Sequence, residues 1–190
     1  MFEASLRRNY FLIAASLFIL PTVSLGQDKQ NAHQRQAYSS QEKEKQAFKM
    51  LALRHFVEVD SKNTNGAVAV LRVFVPAGEG AAPHLHSRED EVFEVVRGHY
   101  RFRHGEHEVD APAGTIVFMP RGIPHTFRNV GNEPGEHVLT VIPGGLENMF
   151  REVSAGNIEL PRDMDRFTEI ALKYGITFLP PTSLPLASGR

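Results

Sequence analysis

The sequence predicts an all-β domain, an antiparallel sandwich or barrel, carrying a helical extension at its C-terminal end. Three observations lead there. Runs of β-branched and aromatic residues, each only about three to eight long, recur at intervals of roughly eight to twelve residues. These runs are bounded by Gly or Pro, of which the chain holds 15 and 12, and both residue types punctuate turns. Beyond residue 146 the apolar period becomes helical.

The first segment reads as an address. Arg7 and Arg8 precede the apolar run from Tyr10 to Leu20, and Pro21 and the small-residue exit Ser24-Leu25-Gly26 follow. A basic start, an apolar middle of about ten residues and small residues at −3 and −1 describe a secretory signal peptide cleaved near Gly26. A membrane anchor fits less well, because the uncharged run falls short of the ~20 residues of a span and Pro21 interrupts it. A lipidated terminus is excluded, since no cysteine exists to carry the lipid. Residues 27–47 hold six Gln and hardly an apolar side chain up to residue 46, too little to offset ordering entropy, and are expected to form a flexible linker.

From residue 48 onward the texture is β. The run Val68-Ala-Val-Leu-Arg-Val-Phe-Val75 is closed by Pro76 and Gly78. Shorter strands are expected at 91–97, 100–103, 107–109, 115–119, 126–129 and 137–142. Arg103-His104-Gly105-Glu106 suits a hairpin corner with Gly105 at a positive φ, and residues 129–135 suit a longer turn. A barrel over 48–145 results. In 163–174, Met164, Phe167, Ile170, Ala171 and Tyr174 share one helical face, so this helix must lie on the outside of the β domain. Asp163 suits its start and Gly175 its end. A shorter helix is expected at 146–153, and the proline-rich tail after Leu179 should be loose.

Composition narrows the chemistry. The formal net charge is −1, and −2 once residues 1–26 are removed, so nothing favours nucleic acid or an anionic membrane. With no cysteine, disulfides, thiol nucleophiles, Cys-ligated zinc and iron–sulfur clusters are ruled out. Nine histidines remain, and imidazole is a versatile metal ligand.

Four residues form a candidate constellation: His84, His86, Glu91 and His125. On a strand His84 and His86 point to one face, about 6.5–7 Å apart at the backbone. Glu91 would fall on the opposite face of a continuous strand, but Ser87-Arg-Glu-Asp90 reads as a turn, which lets Glu91 open a new antiparallel strand facing the pair. His125 begins another strand after Pro124. Three imidazoles and a carboxylate can hold a divalent metal while leaving positions open. Each residue also has a plain reading: a surface His-x-His pair, an ordinary carboxylate beside Glu89 and Asp90, a turn-capping histidine. Parity places Phe93 and Val95 on the face of Glu91 and Phe127 on that of His125, either as core or as the wall of an apolar substrate pocket. His99 is expected to face outward, His104 and His107 to flank the hairpin, and His55 and His137 to have no partner.

The spacing decides between these readings. Gly78-x5-His84-x-His86-x4-Glu91-x6-Gly98, followed by Gly114-x5-Pro120-x-Gly122-x2-His125-x3-Asn129, resembles the two cupin motifs at every defining position. The resemblance covers about residues 66–143. It implies a double-stranded β-helix (jelly-roll) barrel, with His84, His86, Glu91 and His125 as ligands of one divalent transition metal. Fe, Mn, Ni, Cu and Zn are all compatible with that ligand set. The glycines and Pro120 would shape turns, Asn129 would be structural, and Glu89, off the motif, should be dispensable for the metal.

Within that superfamily the chain is most similar to small bacterial quercetin 2,3-dioxygenase-like proteins, a likeness extending to residues 143–151 and 174–181. This implies a dioxygenase-type oxidoreductase acting on a small oxygenated aromatic or enol-bearing substrate, with Glu91 also taking up the substrate's hydroxyl proton. The alternatives are an O2-independent metal isomerase, cyclase or lyase, and a non-enzymatic barrel that captures a small ligand or metal. The resemblance also implies pairing through edge strands as a homodimer. For the leader, N-terminal sequencing of the exported protein should find Gln27 or a near neighbour first, in a periplasmic or secreted fraction. A soluble cytosolic protein retaining residues 1–26 would overturn the export reading.

Overall fold

The computed structural model describes residues 47–50 and 52–184; the leader, nearly all of the linker and residues 185–190 lie outside them. Alternation of apolar and polar side chains dictates the architecture. In β3 (Ala69–Val75) the inward residues Ala69, Leu71, Val73 and Val75 are buried, while Val70, Arg72 and Phe74 are partly exposed. Such a strand is stable only with one face on a core and the other toward solvent. The outward Arg72 pairs with Glu58 at 2.8 Å and with Glu136.

Eleven strands form two antiparallel sheets among the described residues. β1 (Ala47–Met50), β2 (Leu53–Val59), β3, β10 (Gly135–Ile142), β5 (Asp90–Arg97) and β8 (Ile116–Met119) lie side by side in that order in a six-stranded sheet. The second contains β11 (Ile176–Phe178), β4 (Gly80–His86), β9 (His125–Asn129), β6 (His99–His104) and β7 (His107–Pro112). From β3 to β11 the chain crosses from one sheet to the other at every step except the β6–β7 hairpin, which is the jelly-roll winding of a double-stranded β-helix. Phe93, Phe102 and Phe127 meet inside with ring centroids 5.1–5.6 Å apart. Aromatic pairs in that range add to the ~1.5–3 kcal/mol that burying each large side chain contributes.

The motif glycines do shape turns: Gly78, Gly98, Gly114 and Gly122 have φ between 78° and 97°. At Gly98 this is compulsory twice over, because a Cβ would also come within 2.9 Å of the Gly135 backbone. The hairpin at Gly105 joins β6 to β7 as expected. Asn129 is fully buried, and its Nδ2 donates toward the carbonyls of Val75, Pro76 and Glu133. Its Oδ1 accepts from the Gly131 amide. One side chain thereby joins the end of β3 to the turn before β10.

The extension differs from expectation in three respects. α1 (Leu146–Ala155) and α2 (Met164–Lys173) form where the sequence places them. Met164, however, is 46% exposed, because the cover over the apolar stripe of α2 begins only at Phe167. After α2 the chain returns as β11 and joins the second sheet beside β4. The beginning of the tail is also not loose: the Leu179 amide donates to the Pro83 carbonyl, residues Pro181–Ser183 form a 3-10 turn, and Leu184 is buried. Where β10 passes into α1, the buried Glu147 carboxylate accepts from the amides of Ser61 and Gly145, both at 3.0 Å.

Asn129→Ala should leave the barrel folded but less stable by about 2–3 kcal/mol, since it orphans buried carbonyls and an amide. Urea denaturation measures this directly. An unchanged midpoint would show that Asn129 is not a tie between the two turns.

Candidate metal centre

The four predicted ligands converge. His84 and His86 stand on β4, His125 begins the neighbouring β9 directly opposite His84, and Glu91 is the second residue of β5 in the facing sheet. All four side chains are buried, and one ligating atom from each lies within 4.8 Å of the others. The bend at residues 87–90 brings Glu91 back against the histidine pair.

Polar contacts behind the ligands fix their orientation. The Nδ1 of His84 lies 2.7 Å from the Ala82 carbonyl and that of His125 3.1 Å from the Ile123 carbonyl. The Nδ1 of His86 lies 3.3 Å from Glu89 Oε2. With each Nδ1–H directed to an oxygen, each Nε2 is left as a lone pair, the arrangement that metal-bound imidazoles adopt. Glu89, as expected, is not one of the converging residues, but it is buried and lies directly behind His86. A further clamp sits at the mouth of β9. The Arg121 guanidinium grips Asp90 with two bonds of 2.8–2.9 Å, and the Gly122 amide donates to the His86 carbonyl. Arg121 holds the Asp90 carboxyl down at about 2. Neither Asp90 nor Arg121 was legible as a site residue, because their pairing spans strands distant in sequence.

The electrostatics call for a cation. Glu91 Oε2 approaches His125 Nε2 to 2.9 Å, yet both atoms are buried without a hydrogen bond. With the His125 proton on Nδ1, two lone pairs face each other there. Burial would raise Glu91, but the surrounding imidazoles overcome it and hold the carboxyl at about 2. Burial, with His125 and His86 nearby, pushes His84 down to about 3, so it is neutral. At His86 burial is outweighed by Glu91 and Glu89, which raise it. A buried carboxylate gathered with three imidazole nitrogens fits a divalent transition metal.

An apolar cavity adjoins these groups. Phe93, Phe127, Phe178 and Met149 line it together with His84 and Glu91, and its free space is about 60 Å3, room for a small molecule and well short of the ~300–1,000 Å3 of most ligand pockets. Phe93 and Phe127 stand where parity placed them. Val95 does not line the cavity, although its cross-strand partner His137 does; its side chain is buried in the core. Parity sets the face of a strand and not what the side chain meets there. The structure also corrects two histidines that had no assigned place. His55 and His137 are both buried on the cavity wall. His99 pairs with Asp110 at 2.8 Å on the outer surface, and His104 and His107 flank the hairpin as expected.

Comparison with known proteins agrees with this geometry. Residues 71–142 match the family model described as Cupin domain. The fold is similar to KdgF from a Halomonas species (13% identity, 59% of this chain and 99% of that one, TM-score 0.52). It is similar also to an RmlC-like cupin from Shewanella frigidimarina (18% identity, 60% and 98%, TM-score 0.51). A predicted oxalate decarboxylase from Thermotoga maritima aligns at 24% identity over 48% of this chain and 81% of its own, with a TM-score of 0.46. No curated protein matches the chain in sequence.

Metal analysis checks the ligand set. His86→Ala, His125→Ala and Glu91→Ala should each lose most bound metal while keeping a cooperative thermal transition. Glu89→Gln should keep the ion but bind it roughly tenfold more weakly, the usual cost of disturbing a partner behind a metal-bound imidazole. Full occupancy in the His125 variant would remove it from the set.

Proposed function

We propose that the barrel is a metal-dependent dioxygenase, similar to quercetin 2,3-dioxygenase-like cupins, acting on a small oxygenated aromatic or enol-bearing molecule. The observation that carries this reading is the position of the buried His3Glu group at the edge of an apolar cavity walled by Phe93 and Phe127. A divalent metal at this site would supply Lewis acidity for a substrate oxyanion and a redox centre for O2. The chain's own residues do the rest. Phe93 and Phe127 hold a flat apolar body, and the buried walls keep bulk water from the reacting groups. Glu91 is the carboxylate nearest to both cavity and ligands, and in this reading it takes up the hydroxyl proton of the bound substrate. Both oxygen atoms of O2 end in the product.

The apolar wall favours oxygen chemistry on an aromatic over a strongly charged substrate, which would have to leave water without compensating partners. The test is to load the protein separately with Fe, Mn, Ni, Cu and Zn and to supply flavonols and catechols while dissolved oxygen is recorded by electrode. Oxygen uptake should require the substrate and fall at least a hundredfold in His84→Ala. Product formation that continues unchanged under argon would replace the dioxygenase with an isomerase or lyase. Binding without turnover under every metal would replace it with a ligand carrier.

A further inference from the structure

His55 and His137 pose a question that the metal centre does not answer. Their side chains are 3% and 1% exposed, and the Nδ1 atom of each is buried without a hydrogen-bond partner. An orphaned buried polar atom costs stability, so two on one wall need a reason. Strand pairing puts them in one row: His55 on β2 and His137 on β10 both stand opposite Val73 of β3, one on each side. Residues paired this way share a sheet face, and two strand spacings separate their backbones by about 9.5 Å. Both line the cavity that reaches Glu91 and His84.

Their surroundings fix their chemistry. His55 lies against Phe150 at 4.4 Å between ring centroids, and His137 presents its ring to the edges or faces of Phe93 and Phe127 at 5.3 and 5.1 Å. Burial pushes His55 down to about 4, against a hydrogen bond with the Phe48 backbone, and pushes His137 down to about 3. Both are neutral at physiological pH. A neutral imidazole whose N–H is taken by a backbone carbonyl offers only an acceptor nitrogen, so the free nitrogen of His55 suits an O–H or N–H donor.

Depth separates this row from the metal. On β10, Val141 pairs with Glu91, Leu139 with Phe93 and His137 with Val95. The imidazole row therefore lies four residues along the strand from Glu91, about 13 Å at the backbone, with Phe93 between.

We propose that His55 and His137 form the far polar end of the substrate cavity and bind a neutral hydroxyl-type donor on the opposite side of the ligand from its metal-bound oxygen. The substrate class this selects is a small, uncharged molecule with oxygen at both ends and an apolar middle lying against Phe93 and Phe127. The inference rests on the cavity being the substrate site, but it does not depend on oxygen being consumed.

The test uses zinc-loaded protein under argon, where no turnover occurs, and two probes that differ only in the second donor: hydroquinone and 4-methoxyphenol. Hydroquinone should bind roughly tenfold tighter, the usual value of one hydrogen bond to an otherwise unsatisfied buried group. In His55→Phe or His137→Phe that preference should shrink to within twofold at unchanged zinc stoichiometry, with a melting temperature equal to or above that of the wild type. In wild-type protein the imidazole 15N resonances of His55 or His137 should move with hydroquinone and stay put with 4-methoxyphenol, a readout that needs no variant. Equal affinities with unmoved resonances, or no binding of either probe at millimolar concentration, would overturn the proposal. So would variants that melt lower yet keep the preference, because the imidazoles would then be packing groups. Loss of oxygen uptake in the electrode experiment with the probe preference intact would sink the dioxygenase reading alone.

Discussion

Three imidazole protons facing outward decide what this barrel can hold. Each Nδ1–H is directed to an oxygen at the wall: the carbonyls of Ala82 and Ile123 and the carboxylate of Glu89. If any of the three rings took the other tautomer, a proton would point into the centre and compete with a cation for the same space. Two of the supporting oxygens are backbone carbonyls, of Ala82 within β4 and of Ile123 just before β9, the third is the Glu89 side chain in the bend after β4, and the Arg121–Asp90 clamp and the Gly122 amide tie these segments together. The donor set is thus the inner end of a chain of contacts that begins on the surface.

The same barrel must also be dry. A period of two puts ligands and core on the same inner face of their strands, so Glu91 and Phe93 are neighbours by necessity. That adjacency joins a strongly polar cluster to an apolar cavity with no water-rich layer between them, and low local polarity strengthens every charge interaction of the cluster. It also makes the orphaned nitrogens of His55 and His137 conspicuous: polar atoms on an otherwise apolar wall must either be matched by a bound molecule or weaken the fold.

Much of this was legible in the sequence because short strands announce themselves through punctuation. Gly78, Gly98, Gly114 and Gly122 adopt the conformations their positions imply, and the spacing of His84, His86, Glu91 and His125 was sufficient to bring them together. What escaped has a common physical cause. Ile176-Thr177-Phe178 is too short to carry a strand signal and acquires its structure only by pairing with β4. Glu89 looked like one of several acidic residues in a turn, and only the folded bend shows that it is buried behind His86. Val95 had the right face but is buried in the core and not on the cavity wall. His55 and His137 are 82 positions apart in sequence, and their relation passes through Val73 of a third strand, so no local pattern contains it.

The pairing of β11 with β4 sets an order on the making of this protein. β4 carries two of the four ligands, and with β9 on one side alone it would present a row of unpaired backbone groups on the other, the condition that invites intermolecular strand addition. Residues 176–178 occupy that side, and they are the last strand among the described residues. The stretch matched to the cupin domain ends at residue 142, so a ribosome has to add more than thirty residues beyond it before the ligand-bearing strand gains its second neighbour. That late segment thereby converts an exposed edge into an interior strand, and the wall of the candidate metal site is complete only once residues 176–178 have been made.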